Sequence, residues 1–141
     1  MKIYVFGNGN LGYNSFKKEY LDALEDSLLD PDAAFILGDF RGVDTLMMEY
    51  LKTETANVTI LHIGEHPRYL PDKYRTKVSG WKIIGGFEDD DSRDLYAIEE
   101  CTHYLAIDNN SNDKRKSGTQ KNIERCKARG KAQLTQRELS E

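Results

Sequence analysis

The sequence predicts an α/β fold: a single domain built on a Rossmann-like parallel sheet of about five strands, with helices on both faces. Three observations predict it. Short runs that are apolar throughout recur along the chain, as strands buried on both faces should be. Between them stand stretches with apolar residues at helical spacing, and strands alternating with helices indicate a parallel sheet. The length, 141 residues with 38% hydrophobic, suits one domain of the commonest size.

Residues 3–6 (IYVF) read as the first strand. Phe16, Tyr20, Leu24 and Leu28 then recur four apart and make one face of a helix, which Pro31 stops. Residues 33–37 form a second buried strand. Val43, Leu46, Met47, Tyr50 and Leu51 follow at i, i+3, i+4, i+7 and i+8, the clearest helical stripe in the chain. Residues 58–61 are a third strand. The stretch 64–80 carries Pro67, Pro71 and Gly80 and breaks the rhythm; structureless loops of that length tend to be functional. Residues 81–84 read as a short fourth strand, with Gly85-Gly86 as a turn. A helix over about 92–100 turns Leu95, Ile98 and Cys101 inward. Residues 104–107 are a fifth strand, 108–116 a polar loop, and 118–129 the last clear helix, ending near Gly130. The domain spans 1–130, and 131–141 is a polar tail with one short edge strand.

Composition narrows the function. A net charge of −4 disfavours a general nucleic-acid binder, which needs clustered Lys and Arg. No apolar run approaches the ~20 residues that span a bilayer, and the start has no leader pattern, so no membrane partner is expected. Two cysteines, Cys101 and Cys126, form neither a disulfide framework nor a CxxC pair, and a cytoplasmic location follows. His62 and His66 stand four apart, but Gly64 and Pro67 argue against a shared helical face. No metal and no cofactor is expected. The acidic run 88–91 solvates a surface and charges the helix start that follows it. No GxSxG elbow or Cys-His pair suggests a covalent nucleophile.

Ligands of such sheets bind outside the carboxyl ends of the strands. After strand one comes Gly7-Asn8-Gly9-Asn10-Leu11-Gly12, spaced as G-x-G-x-x-G, where glycines permit a tight turn and free amides attract anions. A ligand-free strand-to-helix turn would use the same glycines. Strand two ends in Gly38-Asp39-Phe40-Arg41-Gly42-Val43-Asp44. One reading expects Asp39 or Asp44 to cap the helix; the sharper one expects Arg41 to fork onto a phosphate or carboxylate. After strand five, Lys114, Arg115 and Lys116 precede Ser117-Gly118-Thr119 at a helix start. Charge, hydroxyls and amides converge there as in a phosphate cradle, although the spacing is not that of a Walker A loop.

Three pieces in this order resemble the SLOG superfamily of Rossmann-like proteins. That group includes the DNA-processing protein A domain, the LOG phosphoribohydrolases and many small bacterial and phage proteins. The matching residues are 7–12, Gly38-x-x-Arg41-Gly42-x-Asp44, and Ser117-Gly118-Thr119, so the likeness runs from residue 1 to about 130. Ser92-Arg93-Asp94 also resembles small members. The resemblance implies a pocket for a nucleotide or nucleotide-derived ligand and a homodimer or tetramer. An exposed apolar face on the helix over 43–51 would support the oligomer. Gly118 and Thr119 would hold phosphate, with Arg41 and the first glycine loop beside them and Arg93 facing the same crevice. Trp81, Tyr69 or Tyr74 would stack on a base, although core packing is the commoner fate of such residues.

One departure bears on mechanism. LOG enzymes read Pro-Gly-Gly-x-Gly-Thr-x-x-Glu, and that Glu takes part in N-glycosidic cleavage. The equivalent position here is Asn122, which can hydrogen-bond ribose but cannot act as a general base. The favoured expectation is therefore binding or sensing of a nucleotide-like small molecule. The alternative is an N-glycosidic hydrolase or transferase, LOG-like or deoxyribosyltransferase-like, with Asp39 or Asp44 as its carboxylate. A weaker alternative is a DNA-binding relative using the basic stretch 114–131.

Overall fold

In the computed structural model, which describes residues 1–134, six parallel strands form one sheet in the order β4-β3-β2-β1-β5-β6. In chain order the elements are β1 (Lys2–Gly7), α1 (Tyr13–Leu28), β2 (Ala34–Leu37), α2 (Val43–Leu51), β3 (Val58–Ile63), β4 (Lys82–Phe87), α3 (Asp90–Glu100), β5 (His103–Ile107), α4 (Gly118–Ala128) and β6 (Ala132–Gln133). The period-2 alternation of a strand divides its side chains between two layers. Ile3 and Val5 of β1 join α1 and α2 in one core, with Phe35, Leu37, Ile60 and Leu105. Tyr4 and Phe6 face the other way and meet α3 and α4, with Ile36, Leu61, Tyr104 and Ala106. Buried aromatics and aliphatics thus fill both sides of the sheet, which is why its strands read as apolar throughout.

The helices have local causes. Gly12 stands at the N-cap of α1 in extended backbone. Asp89 caps α3 in a capping box, its carboxylate accepting from the Ser92 amide at 2.8 Å; the acidic run 88–91 therefore starts this helix. Gly130, at φ +71°, follows the end of α4.

Two local expectations are corrected. Gly85-Gly86 is not a turn but part of β4, which pairs with β3 through a register shift between Leu61 and Ile63. Gly86 takes φ +90° in this irregular stretch, and Gly85 leaves room for the buried His62 ring. On α3, Leu95 is only half-buried, while Arg93 is buried beside Ala97 and Ile98. The connection from β3 to β4 contains no α-helix, only a 3-10 turn at Val78–Gly80. It is held to the α2 side by Leu70, Val78 and Trp81. The short strand expected in the tail is β6, paired with β5; the remaining tail residues, 135–141, lie outside the described residues. Cys101 and Cys126 are free and buried.

Strand order runs outward in both directions from β1, with β2 on one side and β5 on the other. Loops leaving the carboxyl ends of β1 and β5 therefore diverge, and a crevice opens between them.

Candidate functional site

The crevice has a volume of about 450 Å³. Of the residues expected at a site, it is lined by Gly7, Asn8, Gly9, Arg41, Asp44, Arg93, Ser117, Gly118, Thr119 and Asn122. Gly12, Gly38, Asp39 and Gly42 do not line it. Three loops and two helix starts thus meet where the expectation put them, but many of their groups serve one another.

The glycines show this first. Gly42 adopts φ +78°, and a Cβ there would run into the backbone of Asn8 and Gly9. A Cβ on Gly9 would come within 2.5 Å of the Phe40 ring. Close packing thus calls for two of the three glycines in the G-x-G-x-x-G spacing, Gly9 against the β2 loop and Gly7 against Tyr20 and Val43, while nothing lies within 4 Å of a Cβ on Gly12. Those two need no dinucleotide. Asn8, only 3% exposed, pins the loops together. Its Nδ2 donates to Asp108 Oδ1 at 2.9 Å and to Thr119 Oγ1 at 3.3 Å, and its Oδ1 accepts from the Asn109 amide at 2.7 Å. Burial works against ionisation of Asp108, yet hydrogen bonds from Ser111, Ser117 and Asn8 hold its carboxyl well below the usual range.

At α4, Ser117 Oγ accepts from the Gln120 amide at 3.0 Å and donates to Asp108 at 2.6 Å. The hydroxyl is thus occupied by capping. The amides of Gly118 and Thr119 have no intrahelical acceptor, as at any helix start, and open space lies over the Gly118 Cα. Two arginines also line the crevice, Arg41 and Arg115. Arg41 lies over the Phe40 ring at 5.4 Å. Among the described residues neither has a carboxylate partner.

The opposite wall is acidic. Asp44 is 7% exposed, and its Oδ2 accepts from the Phe40 amide at 2.9 Å. Burial pushes its carboxyl up to about 7, against the Phe40 hydrogen bond and Arg93, with Asp94 and Asp39 adding to the rise. Asp94 accepts from Tyr4 Oη at 3.2 Å, from Arg93 Nε and Nη2 at 3.2 and 3.1 Å, and from Asn122 Nδ2 at 2.9 Å. The Tyr4 phenol is held well above its usual range by burial and by the Asp94 and Asp44 carboxyls.

Arg93 faces the crevice as expected, but its guanidinium is fully engaged. Nη1 meets Asp39 at 2.8 Å and Asp90 at 2.9 Å, while Nε and Nη2 hold Asp94. Asp39 lies behind this wall with a side chain 0% exposed. It accepts from Arg68 through the backbone amide at 2.9 Å, Nε at 3.3 Å and Nη2 at 2.9 Å. Burial opposes its ionisation, but the Arg68 hydrogen bonds and both arginines keep the carboxyl below its ordinary value. Asp39 cannot reach a ligand; it locks the β3–β4 connection to the sheet end.

The aromatic candidates lie elsewhere. Trp81 packs in the core and donates from Nε1 to the Thr55 carbonyl at 2.9 Å, and neither Tyr69 nor Tyr74 lines the crevice. Sequence reasoning missed Tyr4, Asp90 and Asp94 as lining residues, whereas Arg115 belongs to the basic stretch expected there. The one available signal was a phenol in an otherwise aliphatic and aromatic strand, facing a helix that carries Arg93-Asp94. His62 is buried with Nδ1 at 3.2 Å from the Ile63 carbonyl, and His66 is exposed. Among the described residues no group of three or more His, Cys, Asp or Glu is arranged to hold a metal ion. No described helix is long and apolar enough to cross a membrane.

Fold and crevice define a Rossmann-like α/β protein whose polar cleft sits at the reversal of strand order. No family model, curated protein or solved structure matches the chain.

Proposed function

We propose that the protein binds or senses a nucleotide or nucleotide-derived phosphorylated ligand in this crevice, as a member of the SLOG group. The observation that carries the reading is the pair Arg41 and Arg115, without carboxylate partners among the described residues, in a crevice also lined by Gly118 and Thr119 at the start of α4. Amides at a helix start and unpaired guanidinium groups are the standard means of holding phosphate. The acidic wall of Asp44 and Asp94, with Asn122 beside it, suits the hydroxyl donors of a sugar. The thermal-shift test uses nucleoside mono-, di- and triphosphates, ADP-ribose and cyclic nucleotides. A ligand at 100 times its Kd stabilises the fold by about 2.7 kcal/mol. Arg41→Ala and Arg115→Ala should each weaken binding about tenfold or more while melting unchanged without ligand. No shift with any phosphate-bearing ligand would refute the reading.

Asp44 favours a second reading, hydrolysis or transfer at a nucleotide N-glycosidic bond. A crevice carboxyl titrating near 7 is matched to general acid–base work at neutral pH. Asp39 is withdrawn from that role. Released base in the incubated binding mixture, lost in Asp44→Asn, would select this reading. The DNA reading is weaker still, because Lys116, Arg125 and Arg129 in the basic stretch pair with Glu124, Asp91 and Glu99.

A further inference from the structure

A second groove, about 660 Å³, lies between α1 and α2 on the sheet face opposite α3 and α4. Its walls include Tyr13, Phe16 and Tyr50, and its rim carries Glu25, Glu49 and Glu54. Tyr13 is 61% exposed, so aromatic surface stands open to water there. Glu49 is held by Lys52 at 2.7 Å and by the Tyr69 hydroxyl. Glu25 and Glu54 have no cation partner among the described residues.

The same face carries the complement. At the tip of the β3–β4 connection Tyr74 is 72% exposed, with the Arg75 guanidinium 5.2 Å from its ring centre. Arg75 takes φ +56°, the one non-glycine residue with positive φ among those described, so the tip is held in a conformation that side chains seldom adopt. Lys73 and Arg75 have no carboxylate partner among the described residues. The connection is fastened beside the groove, since the Lys77 amide donates to the Lys52 carbonyl at 2.6 Å and Lys77 Nζ to the Glu54 carbonyl at 3.4 Å.

An acidic aromatic groove and a basic aromatic tip thus lie side by side on one surface. That is the self-complementarity a two-fold contact requires, because each patch must meet its opposite on the partner. Groove against groove would set Glu against Glu; groove against tip sets Lys73 and Arg75 against Glu25 and Glu54. We infer that two copies of this chain form a two-fold dimer in which each inserts its Tyr74–Arg75 tip into the α1–α2 groove of the other. The inference is independent of the ligand reading, because no residue in it lines the crevice.

Sedimentation velocity over a concentration series tests this on the full chain. The wild type should dimerise reversibly, and added salt should weaken the association. Arg75→Glu alone, and Glu25→Lys with Glu54→Lys, should each raise the dimer Kd at least tenfold, with circular dichroism showing the fold intact. An equimolar mixture of the two variants should recover the dimer, since both contacts then join opposite charges again. A wild type that is monomeric at every concentration overturns the inference. So does a dimer unaffected by either variant, or a mixture that stays monomeric.

Discussion

Asp44→Asn separates the cost of one buried carboxylate from everything else that titrates. The Asp44 carboxyl titrates at about 7 in the fold, against an ordinary 3.8, with burial as the chief cause. The folded state therefore holds this proton more tightly than the unfolded chain does. Stability from this group is fully present below about pH 4 and is lost as pH rises towards and through 7. At about 1.36 kcal/mol per pH unit, the loss is on the order of 4 kcal/mol. Asparagine keeps the oxygen that accepts from the Phe40 amide and cannot ionise. The variant should match the wild type near about pH 4 and exceed it by several kcal/mol at about pH 8. Groups not coupled to Asp44, such as Glu49 with its lowered carboxyl, titrate in both proteins and cancel in the difference. Urea unfolding of both chains across this range measures it. A difference independent of pH would show that Asp44 ionises normally and would remove the basis for its acid–base role.

Three further substitutions test the site's construction. Asp39→Asn leaves Arg68 and Arg93 short of a shared anion and should cost about 3 kcal/mol or more, read by urea unfolding; an unchanged midpoint would mean the cluster contributes little. Asn8→Ala strands the Asn109 amide and removes two donated bonds. It should cost about 1–3 kcal/mol, with faster hydrogen exchange in the loop after β5. Gly42→Ala meets both a positive φ and the Asn8–Gly9 backbone. It should lower Tm by several degrees and weaken phosphate-ligand binding together, whereas Gly12→Ala, with open space around it, should leave Tm nearly unchanged.

Much of the fold was legible because its signals are local. The stripe Val43, Met47 and Leu51 is fully buried and is set by helical spacing alone. The runs at residues 3–6 and 33–37 fall on β1 and β2, the two middle strands of the sheet. The β4 end was misread because a glycine pair has the composition of a turn; the buried His62 ring, 23 residues away in sequence from Gly85, is what calls for a small residue there. Convergence of the loops was also legible, since a parallel sheet gathers the carboxyl ends of its strands. What each loop residue does was not. Asn8 bonds to residues 100, 101 and 111 positions away, and Asp39 to one 29 positions away. No spacing rule reaches so far, so a carboxylate that locks a loop looks the same in sequence as one that faces a ligand.

The outermost strand at one side of the sheet, β4, has a further consequence for how the protein behaves when crowded. An edge strand presents unpaired backbone groups to any neighbouring chain. Here that edge begins with the exposed Lys82 and ends in a glycine-bearing irregularity at Gly86. A charge resists burial in an intermolecular ladder, and a bent backbone cannot continue a straight one. Lys82 and Gly86 thereby make this edge a poor template for a strand from a neighbouring chain.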